Sequence, residues 1–407
     1  MLKKVMSSVG IQIVGTFSSL LLVWLITRFY GVSIQGQFVL IKSWVDLAVV
    51  VASFGFPQSF IYAINKLNVS WQKLEIFTMK YIFVVFLFSW LATFIWFESI
   101  QQQDFIDIYQ YFFLALGVSG LTGFSLLRGL YLTKNDSKMF AFITILPNTL
   151  LFIFFLMSFA FFDKILNMPL LYFFSGLASC SLVFLFLGNF RKHKDTNTDI
   201  IPWHEIVKNG FNVFIQSIFG ALLPLGTYWL MSKFGYSKSE IGLFSIALYI
   251  YIVFTLPLAM ISPIFYNRWS MNENINLILL ELKQFAKVGL ILVPILLIVY
   301  YLIPIILPFV FGQQILLAIP AARLLLIATF ALYYNNLLSC FLMSQGYFKI
   351  MSVMMILKTL ICYLTIIISL LIFGKTLEII SFAWLISEIL TLMILFSLVG
   401  KRYVFNK

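Results

Sequence analysis

Two charged residues, Lys42 and Asp46, lie one helical turn apart in the apolar stretch QFVLIKSWVDLAVVVASFGFPQSF, residues 37–60. At a spacing of i and i+4, both side chains project from the same helix face and can form an ion pair. A charge at mid-membrane costs roughly 2.5 to 3.5 kcal/mol, so we expect the pair to face the protein interior. The pair could bind an anion through Lys42 and a coupling ion through Asp46.

Other charged residues are also embedded in apolar segments, and cations outnumber carboxylates among them. An excess of cations along a central cavity suits an anionic group such as phosphate, which Arg binds bidentately and Lys as a point charge. The alternative is that the arginines reach lipid headgroups at the membrane surface. We predict substrate binding by Arg28, Lys42, Arg128, Arg323 and Lys358, and ion coupling at Asp46 and Glu388.

Polar side chains that could contact sugars lie in apolar segments too. Amides and tyrosines hydrogen-bond sugar hydroxyls, but hydrogen bonds between helices would use the same groups. The candidates for sugar contact are Tyr333, Tyr334, Asn335, Asn336, Asn212 and Gln216. The sequence has no GxGxxG, P-loop or HExxH motif, and its 3 cysteines stand singly. We therefore expect no catalytic residues, no metal site and no cofactor, and transport fits better than enzymatic chemistry.

The composition is that of an integral membrane protein. Hydrophobic residues make up 62% of the 407 residues, charged residues make up 10%, and the mean hydropathy is +1.02. Apolar windows of about 20 residues recur, the length of a helix that crosses a bilayer. Strands of a membrane barrel would be shorter and would alternate polar with apolar residues. We therefore predict an all-α fold with about twelve transmembrane helices.

Lysine and arginine are concentrated in alternate loops, on the same side as both termini. By the positive-inside rule that side is the cytoplasm, so the net charge of +12 reflects membrane topology and not nucleic-acid binding. The most polar stretch, RKHKDTNTDIIPWHE, divides the chain near its middle. We predict an N-terminal six-helix bundle at 1–190, a cytoplasmic linker at 191–205 and a C-terminal six-helix bundle at 206–407.

Landmarks recur between the two halves, which indicates a duplication. Gly36 falls on Gly242, and Pro57 on Pro263, when the second half is shifted by 206 residues. Because each repeat has an even number of spans, both repeats begin on the same side of the membrane. The two bundles should then be related by a pseudo-two-fold axis along the membrane normal, with a pathway between them.

Four further stretches of the sequence are RFYGVSIQGQF (28–38), FGFPQSFIY (54–62), LRGLYLTKNDSKMF (127–140) and KFGYSKSEIGLFSIA (233–247). These motifs resemble those of the O-antigen and oligosaccharide repeat-unit flippases, a branch of the multidrug, oligosaccharidyl-lipid and polysaccharide exporter superfamily. The resemblance implies two six-helix bundles around a cavity that opens alternately to the two membrane faces. It also implies export of undecaprenyl-diphosphate-linked oligosaccharides, precursors of O-antigen lipopolysaccharide or capsule, across a bacterial inner membrane.

The implied partners are the lipid-linked oligosaccharide, membrane lipids and other polysaccharide-assembly membrane proteins, with coupling to a proton or sodium gradient left open. A drug or cation antiporter of the same superfamily is the nearest alternative, and carboxylates would then be expected to dominate its cavity. A membrane glycan polymerase or ligase would carry a large external loop with catalytic polar residues. The longest predicted external loop, around residues 98–107, is too short for that.

Overall fold

The computed structural model describes residues 2–403 apart from 68, 100–107, 134–136, 162–166, 189–200 and 273. All secondary structure in these residues is helical. The α-helices are α1 Leu2–Leu25, α2 Val32–Ser53, α3 Phe56–Leu67, α4 Trp71–Ser99, α5 Ile108–Leu132, α6 Ser137–Phe161, α7 Met168–Gly188, α8 Trp203–Lys233, α9 Lys238–Met271, α10 Ile275–Phe311, α11 Ile319–Ser344, α12 Phe348–Phe373 and α13 Leu377–Tyr403. A π-helical turn, Ile26–Tyr30, follows α1, and a 3-10 turn, Gln313–Ala318, precedes α11.

Within the described residues, 11 segments are long and apolar enough to cross a membrane. One of them, Val32–Ile64, joins α2 and α3 across a break at Phe54 and Gly55, which both have positive φ. α9 has 34 residues and is also long enough to cross a bilayer. The predicted all-α membrane fold with about twelve spans is therefore confirmed.

The chain divides into two compact units. Unit 1 comprises Met1–Leu22 and Ile41–Ala221, and unit 2 comprises Val23–Leu40 and Leu222–Lys407. The divisions fall inside α1, α2 and α8, so each of these helices contributes to both units. The predicted domain boundaries stay a prediction, and residues 191–200 of the predicted linker lie outside the described residues.

In unit 1, α5 and α7 approach closely because glycines line their contact. A Cβ added to Gly120 would lie 2.6 Å from the carbonyl carbon of Gly176, and one added to Gly117 would lie 2.8 Å from that of Tyr172. Small residues let the backbones of membrane helices come together, where dispersion forces replace the hydrophobic driving force. Ser175 on α7 adds a hydrogen bond to Pro147 O on α6 at 2.6 Å.

In unit 2, the first turns of α2 and α9 are in backbone contact. A Cβ added to Gly36 would lie 2.1 Å from Lys238 O, and one added to Gly242 would lie 2.2 Å from Val32 O. The contact is reciprocal, because the shift that places Gly36 on Gly242 also places Val32 on Lys238. This local two-fold relation agrees with the predicted duplication, and only glycine permits it at either position.

The turn between α8 and α9 explains why one of the sequence motifs, KFGYSKSEIGLFSIA, is built as it is. Gly235 has φ +76°, which ends α8, and Ser237 and Glu240 form a capping box that begins α9. Tyr236 donates a hydrogen bond to Thr376 O at 2.9 Å. Burial, followed by the Glu240 carboxylate, raises the pKa of Tyr236 to about 12, so its hydroxyl stays protonated and keeps this hydrogen bond.

Candidate functional site

A buried ion pair joins α12 to α13 inside unit 2. Lys358 Nζ lies 2.5 Å from Glu388 Oε1, and the two side chains are only 8% and 0% exposed. α12 and α13 are consecutive helices joined by residues 374–376, where Gly374 has φ +83°. The tight turn brings the helices side by side, so that a cation on one meets a carboxylate on the other. The sequence predicted both residues as site residues, and the structure brings them together.

Two further helices donate hydrogen bonds to the Glu388 carboxylate. Asn335 Nδ2 on α11 donates to Glu388 Oε2 at 2.7 Å and to Glu388 O at 2.9 Å. The Tyr251 hydroxyl on α9 donates to Glu388 Oε1. The carboxylate is therefore held by α9, α11 and α12 at once. Ionised carboxylates accept such hydrogen bonds strongly, so a change in the charge of Glu388 would be felt on all three helices.

Lys42 and Asp46 form the ion pair that their spacing predicted. Lys42 Nζ lies 2.5 Å from Asp46 Oδ2 on α2. Unlike the pair on α12 and α13, this pair is accessible, with the side chains 31% and 55% exposed. Charged side chains at membrane depth avoid lipid and face protein or a water-filled cavity. The pair therefore marks a face of α2 where a charged ligand could reach Asp46.

The three embedded arginines are arranged differently from the lysines. The Arg128 guanidinium lies over the Phe140 ring at 5.0 Å, and that of Arg323 lies over the Tyr300 ring at 4.7 Å. Arg323 Nε also donates to Tyr300 O at 3.3 Å. Arg28 is exposed in the π-helical turn after α1. Ring contacts and ion pairs thus account for four of the five cations predicted to bind substrate.

The predicted sugar-contact residues do not form one group. The hydroxyls of Tyr333 and Tyr334 donate to Phe285 O and Ala286 O on α10, each at 2.9 Å. These hydrogen bonds link α11 to α10. The two tyrosines therefore make hydrogen bonds between helices, which is the alternative to contact with sugars. Asn335 belongs to the ion-pair cluster. The others are Asn336 and Gln216, which are half-buried, and Asn212, whose Nδ2 donates to Lys208 O at 3.3 Å.

Sequence reasoning did not identify Tyr251, although its hydroxyl contacts the buried carboxylate. Tyr251 stands in an apolar run, LYIYIVF, with no charged neighbour, and its partner lies 137 residues away in the sequence. No local pattern could have revealed that contact. Asn335 did carry a signal, as an amide in an apolar span, but its assignment to sugar contact left its hydrogen bonds to Glu388 unforeseen.

Comparison with known proteins identifies the fold. The chain is similar to a multidrug resistance MATE family transporter of the MOP superfamily in an outward-facing conformation (TM-score 0.77, 14% identity, 98% of this chain and 95% of that one). It is also similar to such a transporter in an inward-facing conformation (TM-score 0.72, 13% identity, 98% of both chains). No family model matches the sequence, and no curated protein matches it.

A third similar structure is a MOP superfamily transporter from Pyrococcus furiosus Vc1 (DSM3638), described as having a binding pocket of reversed polarity that suggests a different function. Its TM-score is 0.72 at 16% identity, covering 98% of this chain and 93% of that one. The chain therefore has the fold of these transporters, with twelve transmembrane helices in two bundles, as predicted.

Proposed function

We propose that this protein is a secondary transporter that exports an organic cation or drug in exchange for a proton or sodium ion. Transport follows alternating access, in which the substrate site opens in turn to the two sides of the membrane. The similar solved structures support this proposal, because two of them are multidrug transporters, one outward-facing and one inward-facing. Antiport also agrees with the burial of a carboxylate, Glu388, beside Lys358 in unit 2.

The observation that carries the proposal is how the embedded charges are arranged. Lys358 is neutralised by Glu388 inside unit 2, whereas Asp46 is 55% exposed beside a lysine that is only 31% exposed. The more accessible charge in the pair on α2 is therefore the carboxylate. Where such a carboxylate lines a water-filled cavity, it attracts cations and disfavours anions.

We assign ion coupling to Glu388 because a single charged partner, Lys358, compensates its negative charge. A proton on Glu388 removes the attraction to Lys358 and leaves the ammonium buried without a counter-charge. Buried single charges are costly, so the helices around the pair must then rearrange. A sodium ion bound to the carboxylate would compete with Lys358 in the same way. Either ion would link the gradient to the conformation of α9, α11, α12 and α13.

The function can be tested with purified protein in proteoliposomes. An imposed proton or sodium gradient is expected to drive accumulation of a fluorescent organic cation such as ethidium, with empty liposomes and the Glu388→Gln variant as controls. A second set of liposomes carries a polyprenyl-diphosphate-linked oligosaccharide, whose movement between leaflets is followed by periodate access. Movement of the glycan lipid without ethidium accumulation would contradict the antiporter proposal.

Asp46→Asn removes the accessible negative charge while keeping the size of the side chain. We expect ethidium accumulation to fall about tenfold, the effect of losing roughly 1.4 kcal/mol of attraction to the cation. Lys42→Met is the matched control, because it breaks the same ion pair and leaves the carboxylate. Exposed pairs contribute at most about 1 kcal/mol to stability, so both variants should stay folded. An equal loss of transport in both variants would remove Asp46 as the cation site.

A second candidate function is the flipping of undecaprenyl-diphosphate-linked oligosaccharides. Two observations favour it: the four sequence motifs and the excess of cations, of which Arg28 is exposed. The Pyrococcus furiosus neighbour, described as having a binding pocket of reversed polarity that suggests a different function, supports this second candidate. Under this function Lys42→Met, and not Asp46→Asn, would lower transport. The glycan-lipid liposomes distinguish the two functions directly.

A further inference from the structure

A groove of about 220 Å³ opens on the surface of unit 2, beside the turn that joins α12 to α13. Side chains of α11, α12 and α13 line it: Leu324, Ser369, Phe373, Glu378, Ile379 and Phe382. Four of them are apolar, and the two polar ones are a serine and a glutamate. Sites for small amphipathic ligands have this composition, with an apolar wall and a few polar groups that fix the orientation.

The lengths of α12 and α13 indicate the depth of the groove in the membrane. The helices have 26 and 27 residues, or about 40 Å each, so each extends roughly 5 Å beyond a hydrocarbon core of about 30 Å at either end. Glu378 is the second residue of α13 and lies in this outer part, among the lipid headgroups. Ser369 and Phe382 lie about 6 to 8 Å from the same helix ends, where the acyl chains begin.

Both polar groups of the groove are available to a ligand. Among the described residues, the structure shows no hydrogen bond or ion pair for the Glu378 carboxylate or the Ser369 hydroxyl. Other hydroxyls of α12 behave differently: Ser352 Oγ donates to Phe348 O at 3.0 Å, and Thr359 Oγ1 donates to Met355 O at 2.9 Å. Hydroxyls in membrane helices usually form such bonds to the preceding turn. The hydroxyl of Ser369 therefore remains free to bind a ligand.

The negative charge of Glu378 selects among the lipids of a bilayer. The cation nearest to it in the sequence, Lys375, lies at the turn between α8 and α9, where a Cβ added to Gly235 would lie 2.9 Å from Lys375 Nζ. A carboxylate at the edge of the groove repels the phosphate of an anionic headgroup. A primary ammonium, as in phosphatidylethanolamine, carries three N–H donors and forms charge-assisted hydrogen bonds to a carboxylate. The trimethylammonium of phosphatidylcholine has no N–H to donate.

We propose that this groove is a binding site for a phospholipid with an ethanolamine headgroup. The ammonium group of the lipid lies against Glu378, and the Ser369 hydroxyl donates to an ester carbonyl group below it. One acyl chain then follows the apolar wall that includes Leu324 and Phe382. From the membrane surface inward, the protein presents a carboxylate, a hydroxyl and apolar side chains. The lipid presents their partners in the same order: an ammonium, an ester and a hydrocarbon chain.

Native mass spectrometry of the full chain in detergent tests the site directly. The protein is titrated with phosphatidylethanolamine and, separately, with phosphatidylcholine of the same acyl chains, and the dissociation constant of the first bound lipid is measured. We expect phosphatidylethanolamine to bind about tenfold more tightly, the effect of one charge-assisted hydrogen bond at an exposed site. Equal affinity for the two lipids would mean that the groove holds only bulk membrane lipid, and it would overturn the proposal. Tighter binding of phosphatidylglycerol would also overturn it.

Three variants locate the binding in the groove. Glu378→Gln removes the charge and keeps the size of the side chain, so it should weaken binding of phosphatidylethanolamine about tenfold, to the level of phosphatidylcholine. Ser369→Leu fills part of the groove and should weaken binding of both lipids. Lys375→Gln is the matched control, because it removes a charge close to the groove without changing its lining, and it should keep the preference. An unchanged preference in Glu378→Gln would contradict the assignment.

The variants should fold, because the substituted side chains are partly or fully exposed and make no described hydrogen bond or ion pair. Thermal unfolding in detergent without added lipid checks this, and we expect each variant to unfold at the temperature of the parent. Added phosphatidylethanolamine should raise the unfolding temperature of the parent and of Lys375→Gln, since a ligand that binds only the folded state stabilises it. The same rise in Glu378→Gln would place the lipid elsewhere.

An organic cation is the other molecule that an acidic, apolar groove attracts. The volume favours the lipid, because about 220 Å³ accommodates a segment of one acyl chain, whereas pockets for drug-sized molecules have roughly 300 to 1,000 Å³. Ethidium added to the lipid complex is therefore expected to leave the lipid bound. Displacement of the lipid by ethidium, together with weaker ethidium binding in Glu378→Gln, would overturn the assignment. Binding is measured without a gradient, so this result is independent of whether the protein transports ethidium.

Discussion

Glu388→Gln is expected to abolish gradient-driven transport and to destabilise the protein by about 3 to 5 kcal/mol. The glutamine fills the same volume, and its single amide oxygen can accept a hydrogen bond from either Tyr251 or Asn335, which donate to different oxygens of Glu388. It cannot supply the negative charge, so Lys358, only 8% exposed, is left as an uncompensated buried cation. Removing one partner of a buried ion pair lowers stability far more than replacing both partners with uncharged residues.

The double variant Lys358→Met/Glu388→Gln separates stability from function. Removing both charges leaves no buried unpaired ion, so thermal unfolding in detergent should return close to that of the parent, whereas transport should stay absent. Lys42→Met is the comparison for an accessible ion pair. It should change the free energy of unfolding by about 1 kcal/mol or less. If Glu388→Gln unfolds at the same temperature as the double variant, the pair does not act as a buried ion pair.

Gly36→Ala is expected to force α2 and α9 apart and to destabilise the protein by about 1 to 3 kcal/mol, the usual cost of overpacking. The new methyl group would lie 2.1 Å from Lys238 O, which is backbone and cannot move away alone. Gly242→Ala meets Val32 O at 2.2 Å and should cost a similar amount. Transport should fall in both, because the first turns of α2 and α9 can no longer make this backbone contact.

The control for this prediction is Gly10→Ala, where an added Cβ meets nothing within 4 Å. Alanine is the better helix former by up to about 1 kcal/mol, so this variant should be at least as stable as the parent. The double variant at Gly36 and Gly242 should cost less than the sum of the singles, because one separation of the helices relieves both clashes. Strict additivity would show that the two glycines do not share one contact.

Much of the fold is visible in the sequence because it depends on properties of single segments. Apolar length predicts each membrane helix, and a spacing of i and i+4 predicts the contact of Lys42 with Asp46, which the structure contains. Gly36 and Gly242, which the 206-residue offset places on each other, lie in contact in unit 2, while the duplication itself stays a prediction. These inferences need only the helix period and the thickness of a bilayer.

The buried cluster is different, because it depends on the rotation and neighbours of whole helices. The sequence marked Lys358, Glu388 and Asn335 as unusual but assigned them to substrate, ion and sugar, and it did not mark Tyr251 at all. In a chain that is apolar on every face, the hydrophobic pattern does not say which side of a helix meets which partner. The sequence by itself therefore determined that costly charges must find partners inside the membrane protein. Tertiary packing decided which partners they found, because a buried charge is stable only where several distant helices bring a counter-charge and hydrogen-bond donors to it together.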